Sequence, residues 1–141
     1  MRLSFRYELE SQVLKGRNRL ESKRVLVTGG AGFMGSWLVD NLIESGHEVV
    51  SADNLLGGKK ENVNPDCKFV KADLIRRQEV TPLVKGVDLI FHLAAYAAEG
   101  QSIFSPISIN KINLIPMNNL LVEAVNNNVE RFVFTSSMAV Y

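Results

Sequence analysis

Glycines at 29, 32 and 35, set between a short apolar run and an amphipathic one, constrain this chain more than any other feature. Arg24-Val-Leu-Val-Thr28 reads as a buried parallel strand, because such strands are covered on both faces and need not alternate. Thr28-Gly-Gly-Ala-Gly-Phe-Met-Gly35 follows at once. Phe33 to Ser45 then carries Trp37, Leu38, Leu42 and Ile43 at helical spacing, with Gly46 as a stop. In a strand–loop–helix unit each glycine has a separate task. Gly29 permits the tight turn, Gly32 lets a pyrophosphate approach the backbone, and Gly35 lets the helix pack closely on the strand. The free N–H groups and positive dipole end of the helix face the phosphates. A glycine triplet alone is weak evidence, but here both flanking elements that a dinucleotide loop requires are present.

The pattern repeats along the chain. Strands are predicted at Glu48 to Ala52, ending on Asp53, at Lys68 to Ala72, ending on Asp73, at Asp88 to His92 and at Arg131 to Thr135. Helices are predicted at Arg76 to Lys85, which contains Pro82, and at Ser108 to Asn127, where Pro116 predicts a kink or a late start. Strands alternating with helices imply right-handed crossovers and a parallel sheet. The expected fold class is α/β, a Rossmann-type doubly wound sheet over residues 23–141, with residues 1–22 as an N-terminal extension. Such folds commonly carry about six strands or more. The sequence stops just after the fifth, so the sheet is expected to be small or truncated.

Composition narrows the function. The chain has 141 residues and a net charge of +1, which offers no electrostatic grip on nucleic acid or an anionic membrane. The single cysteine, Cys67, excludes a disulfide framework and is compatible with a reducing cytoplasm. No apolar run is long enough to span a membrane, and Arg2 to Arg24 interleaves charged with apolar residues, unlike a secretory signal. No metal site is predicted.

Asp53 lies about 20 residues beyond the loop, at a strand end, where a carboxylate accepts hydrogen bonds from an adenosine ribose. It would repel a 2′-phosphate, which favours NAD over NADP. Asn54 stands beside it. Asp73, at the same edge of the sheet, suits an adenine amino group, and Ala94 and Ala95 are small enough to pass against a flat cofactor. Gly57-Gly-Lys-Lys60 reads as a solvated loop, and His92 as a packed strand-end residue.

These segments together resemble the extended short-chain dehydrogenase/reductases, and most closely the NAD-dependent nucleotide-sugar epimerases and dehydratases, the UDP-glucose 4-epimerases among them. The matching stretches are Val25 to Gly35, Asp53-Asn54, Ala72-Asp-Leu74, Phe91-His-Leu-Ala-Ala95 and Phe132 to Tyr141. The resemblance implies cofactor contacts at Gly29, Gly32, Phe33, Met34, Gly35, Asp53, Asn54, Asp73, Leu74, Ala94, Ala95 and Asn113. Around Asn113 the chain departs from the family, with Pro116-Met117 where Gly-Thr is usual. The resemblance also implies that Ser137 binds a substrate oxygen, that the full-length protein is a homodimer, and that the substrate is a nucleoside-diphosphate sugar.

The family's chemistry needs a tyrosine with a lysine four residues later. The tyrosines here are Tyr7, Tyr96 and Tyr141; residue 11 is serine, residue 100 is glycine, and nothing follows Tyr141. The expectation is therefore the N-terminal, cofactor-binding part of an epimerase or dehydratase, inactive as written. A non-catalytic NAD-binding module and a reductase with a non-sugar substrate are the alternatives.

Overall fold

The computed structural model describes residues 21–137. Nearly all of the 1–22 extension, and the segment from Met138 to Tyr141, lie outside the described residues. The strands are β1 (Arg24–Thr28), β2 (Glu48–Asp53), β3 (Lys68–Lys71), β4 (Leu89–His92) and β5 (Arg131–Phe134). The helices are α1 (Phe33–Glu44), α2 (Arg77–Val84), α3 (Glu99–Phe104) and α4 (Pro106–Asn126), with a 3-10 turn at Lys60–Asn62.

All four strand pairings are parallel, in the order β3-β2-β1-β4-β5. The chain moves outward through β2 and β3, then crosses back to lay β4 on the other side of β1. The strand order thus reverses between β1 and β4, and ligands of open α/β sheets bind at the carboxyl ends of the strands at such a point. Central position explains the unbroken apolar run of β1, where Val25, Leu26 and Val27 are fully buried. Their side chains alternate between two cores. Leu26, Val50, Ala52 and Ile90 pack with Val80, Leu83 and Val84 of α2 and Leu120 and Ala124 of α4. Val25, Val27 and Val49 face the opposite way, onto Val39 of α1. Among the described residues β3 and β5 are the edge strands, and Val133 and Phe134 of β5 are 39% and 50% exposed.

The last long helix, expected over Ser108 to Asn127 with a kink or a late start, does not start late: it runs from Pro106 through Pro116 to Asn126. Pro106 sits in the first turn, where a missing N–H costs nothing. Pro116 is buried on the wall of the cleft described below. The short helix α3 had no sequence signal strong enough to predict it. Among the described residues no helix is long and apolar enough to cross a membrane.

Candidate functional site

At the carboxyl ends of β1 to β4 the chain encloses a cavity of about 380 Å³. The phosphate loop forms its floor. Gly29 has φ +74°, and a Cβ there would lie 2.7 Å from the Ala94 nitrogen, so glycine is required on both counts. Its N–H donates to the Ala52 carbonyl at 2.8 Å, and the Gly32 N–H donates to the Gly29 carbonyl at 3.0 Å. The loop is thereby tied to β2 and folded on itself before α1 begins. Gly32 is the N-cap of α1 and no side chain caps that helix. The first amides of a helix have no intrahelical acceptor, so α1 begins with donors available beside the cavity. Gly35 has a different role. A Cβ there would overlap the Gly29 carbonyl oxygen and lie 2.7 Å from its carbon, so α1 packs directly on the loop. Gly30 is equally confined, against the hydroxyl of buried Ser51. Sequence spacing alone does not single it out.

Asp53 ends β2 and lines the cavity while being only 9% exposed. One carboxylate oxygen accepts the Ala31 N–H at 3.1 Å and the other the Leu55 N–H at 2.7 Å. Each oxygen keeps further acceptor capacity for a ligand. Asp73 lies two residues beyond the end of β3 along the same wall, and its Oδ1 accepts the Ile75 N–H at 3.1 Å. Among the described residues no lysine or arginine lines the cavity. A bound anion would rely on backbone amides and the helix dipole, with carboxylates at the other end for hydroxyl or amino donors.

The far wall follows β4. His92 is buried, and its Nδ1 lies 2.7 Å from the Thr28 hydroxyl on the neighbouring strand. Burial lowers its pKa from the usual range to about 4, so the ring is neutral at physiological pH. It thus packs at a strand end, between Phe132 and Phe134, and the structure supplies the partner that sequence did not suggest. Beyond it Leu93, Ala94, Ala95, Tyr96 and Ala97 line the cavity. This stretch is held by Asn113, whose Oδ1 accepts the Tyr96 N–H at 2.8 Å and whose Nδ2 donates to the Tyr96 carbonyl at 3.3 Å.

Of the residues expected to meet a cofactor, Gly29, Gly32, Asp53, Asn54, Asp73, Leu74, Ala94 and Ala95 converge on this one cavity. Phe33, Met34, Gly35 and Asn113 do not line it. Phe33 and Met34 are 79% and 62% exposed. Ser137 lies beyond β5 and outside the cavity lining. Sequence reasoning missed Leu56, Gly57, Gly58, Ile112 and Pro116, which also line it. The Gly57-Gly58 pair was the one available signal among them. Among the described residues no group of three or more His, Cys, Asp or Glu side chains is placed to hold a metal ion.

The model of the NAD dependent epimerase/dehydratase family matches residues 25–141. A putative UDP-glucose 4-epimerase of Methanocaldococcus jannaschii is 39% identical over 115 residues, covering 80% of this chain and 37% of that protein. UDP-glucuronic acid decarboxylase 1 of Arabidopsis thaliana is 41% identical over 126 residues, covering 89% of this chain and 28% of that protein. The crystal structure of Thermus thermophilus UDP-glucose 4-epimerase in complex with NAD superposes with a TM-score of 0.76 at 38% identity, over 81% of this chain and 37% of that one. The chain therefore spans well under half the length of these relatives.

Proposed function

Because the chain belongs to the NAD-dependent epimerase/dehydratase family, we propose that residues 23–141 are the cofactor-binding domain of an enzyme acting on nucleoside-diphosphate sugars, and that the cavity takes NAD in preference to NADP. The observation that carries this reading is the shared cavity: Gly32 at the uncapped start of α1 and the buried Asp53 line the same 380 Å³ space. The residues fit the cofactor on their own chemistry. A phosphate pair meets free amides and a positive dipole, and the ribose hydroxyls meet a carboxylate that a 2′-phosphate would repel. Asp73 and Leu74 take the adenine, and Ala94 and Ala95 lie along the route to the nicotinamide. Bound NAD would supply a two-electron hydride acceptor and donor. Ser137, following β5 at the same edge of the sheet, is placed in the reading as a hydroxyl for the sugar substrate. The named activities of the relatives include both 4-epimerisation and decarboxylation of UDP-sugars, so the substrate class is better supported than any one reaction within it.

Calorimetric titration of the chain with NAD and NADP tests the cofactor reading. NAD is expected to bind more tightly. Asp53→Asn removes the charge, so NAD affinity is expected to fall about tenfold or more and the gap to NADP to narrow. Equal affinity of the parent for both cofactors would refute the ribose assignment.

A further inference from the structure

The loop that follows β2 is fastened to the phosphate loop at a single residue, Ala31, which is fully buried. The Ala31 carbonyl accepts the Lys59 N–H at 3.0 Å and the Asn62 side-chain amide at 3.0 Å. Its N–H donates to Asp53 at 3.1 Å. Two chain segments and the ribose-side carboxylate thus share one anchor. Gly58 lies at the contact. A Cβ on it would stand 2.9 Å from the Ala31 carbonyl carbon, 2.9 Å from the Ala31 Cβ and 2.9 Å from Asp53 Oδ2. Main-chain atoms cannot yield to that side chain as a flexible one would, so the loop reaches Ala31 only because residue 58 has none.

The same loop carries a second mark of constraint. Leu55 has φ +64°, a left-handed conformation that a γ-branched residue adopts at a cost. The Leu55 N–H on Asp53 Oδ1 and the Leu56 N–H on Asn54 Oδ1, at 2.9 Å, hold the turn in place. Strain of this kind persists where the surroundings over-determine it. Leu56 and Gly58 both line the cavity, while neither Lys59 nor Lys60 does. The latched loop therefore occupies the space beside the Asp53 carboxylate and brings no positive charge into it.

We infer that Gly58 is a specificity-determining residue: by letting the loop after β2 close on Ala31, it shapes a ribose site with no room for a 2′-phosphate. Exclusion of NADP then has a steric component set by residue 58, separate from the repulsion exerted by Asp53. The inference rests on the cofactor reading above and adds to it a residue and a mechanism. Ala31, Asp53 and residues 58–62 hold one another through these contacts, so the latch fixes the position of the loop. Fixing the loop raises affinity by removing the cost of ordering it.

The test is calorimetric titration of the whole chain and its variants with NAD and with NADP. Gly58→Ala is expected to weaken NAD binding about tenfold or more while affecting NADP less, so the NAD-to-NADP preference narrows. Asn62→Ala deletes one latch bond without adding bulk, and is expected to narrow the preference in the same direction, by about fivefold at most. It remains decisive if Gly58→Ala fails to fold. Gly100→Ala, in α3 with open space around it, controls for the glycine-to-alanine change itself and is expected to leave both affinities unaltered. Hydrogen exchange at the Lys59 amide is expected to speed up in Gly58→Ala and Asn62→Ala. If the parent prefers NAD and the folded latch variants keep its full preference, the latch is overturned and the cofactor reading stands. If the parent binds neither dinucleotide, both are overturned.

Discussion

Gly32 and Gly35 are three residues apart, at the N-cap and in the first turn of α1, and the structure predicts that alanine separates them into a binding defect and a folding defect. At Gly35 the added carbon would meet backbone: the Gly29 carbonyl, and the Gly30 Cα at 2.8 Å. Helix α1 must then retreat from the loop. Overpacking against an unyielding neighbour costs about 1–3 kcal/mol, and main chain belongs at the upper end of that range. Against this, replacing glycine by alanine inside a helix gains about 1 kcal/mol. The net loss is about 1–2 kcal/mol, which for a domain of this size lowers the melting temperature by roughly 3–10 °C. Gly32 has φ −77° and ψ 171°, a conformation open to any residue, and its nearest obstacle is the Gly29 carbonyl oxygen at 3.1 Å. Loss of glycine at an N-cap costs under about 1 kcal/mol. The new methyl would stand at the cavity wall, in the approach to the free amides of α1. NAD affinity is expected to fall about tenfold or more in Gly32→Ala. Circular dichroism melts measure stability. Calorimetry measures binding, and Trp37, the single tryptophan, lies one turn into α1 as a fluorescent reporter. The reasoning is refuted if Gly35→Ala melts with the parent, or if Gly32→Ala binds NAD as the parent does.

Two other perturbations test the walls of the cavity. His92 titrates near 4 in the folded chain and near 6.5 when unfolded, so between those values the unfolded state binds the additional proton and stability falls as pH falls. The loss approaches about 3 kcal/mol by pH 4, and His92→Gln is expected to flatten that acid limb in urea melts; an unchanged slope between pH 6.5 and 4 would show that the ring is not the titrating group. Asn113→Leu leaves the Tyr96 N–H without its partner and the Tyr96 carbonyl with only the Ala98 N–H, at a cost of about 1–3 kcal/mol, with faster hydrogen exchange expected at the Tyr96 amide; unchanged exchange there would show that the clamp is not what orders residues 93–97.

The sheet was legible because its central strands β1, β2 and β4 are short, largely apolar runs, and β2 and β3 run into aspartates. Asp53 and Asp73 mark the ends of β2 and β3 in the sequence itself, and in a parallel α/β sheet those ends share one edge. Eight candidate residues, drawn from spacing and from the family resemblance together, therefore fall on one cavity. Local pattern says nothing of contacts made across many residues. Asn113 was expected at a cofactor on resemblance, yet its side chain is engaged by Tyr96, which lies 17 residues earlier. The hydroxyl that pairs with His92 belongs to Thr28, and only the β1–β4 register makes the two neighbours. Pro116 predicted a kink or a late start, because proline removes a helical hydrogen bond and crowds the preceding turn. Inside the fold, burial of Pro116, Leu120 and Ala124 sustains the helix across it. The Gly57-Gly58 pair shows the limit most sharply. Two adjacent glycines in a lysine-bearing loop carry the same local signal, that of a flexible solvated turn. Gly57 has nothing within 4 Å of where its Cβ would lie, whereas the Cβ of Gly58 would strike Ala31 and Asp53. The distinction depends on a backbone 27 residues away, so it exists only once β1 and β2 are paired in register, Thr28 beside Ala52. The contacts that confine Gly58 are thus supplied by the sheet and not by its local sequence.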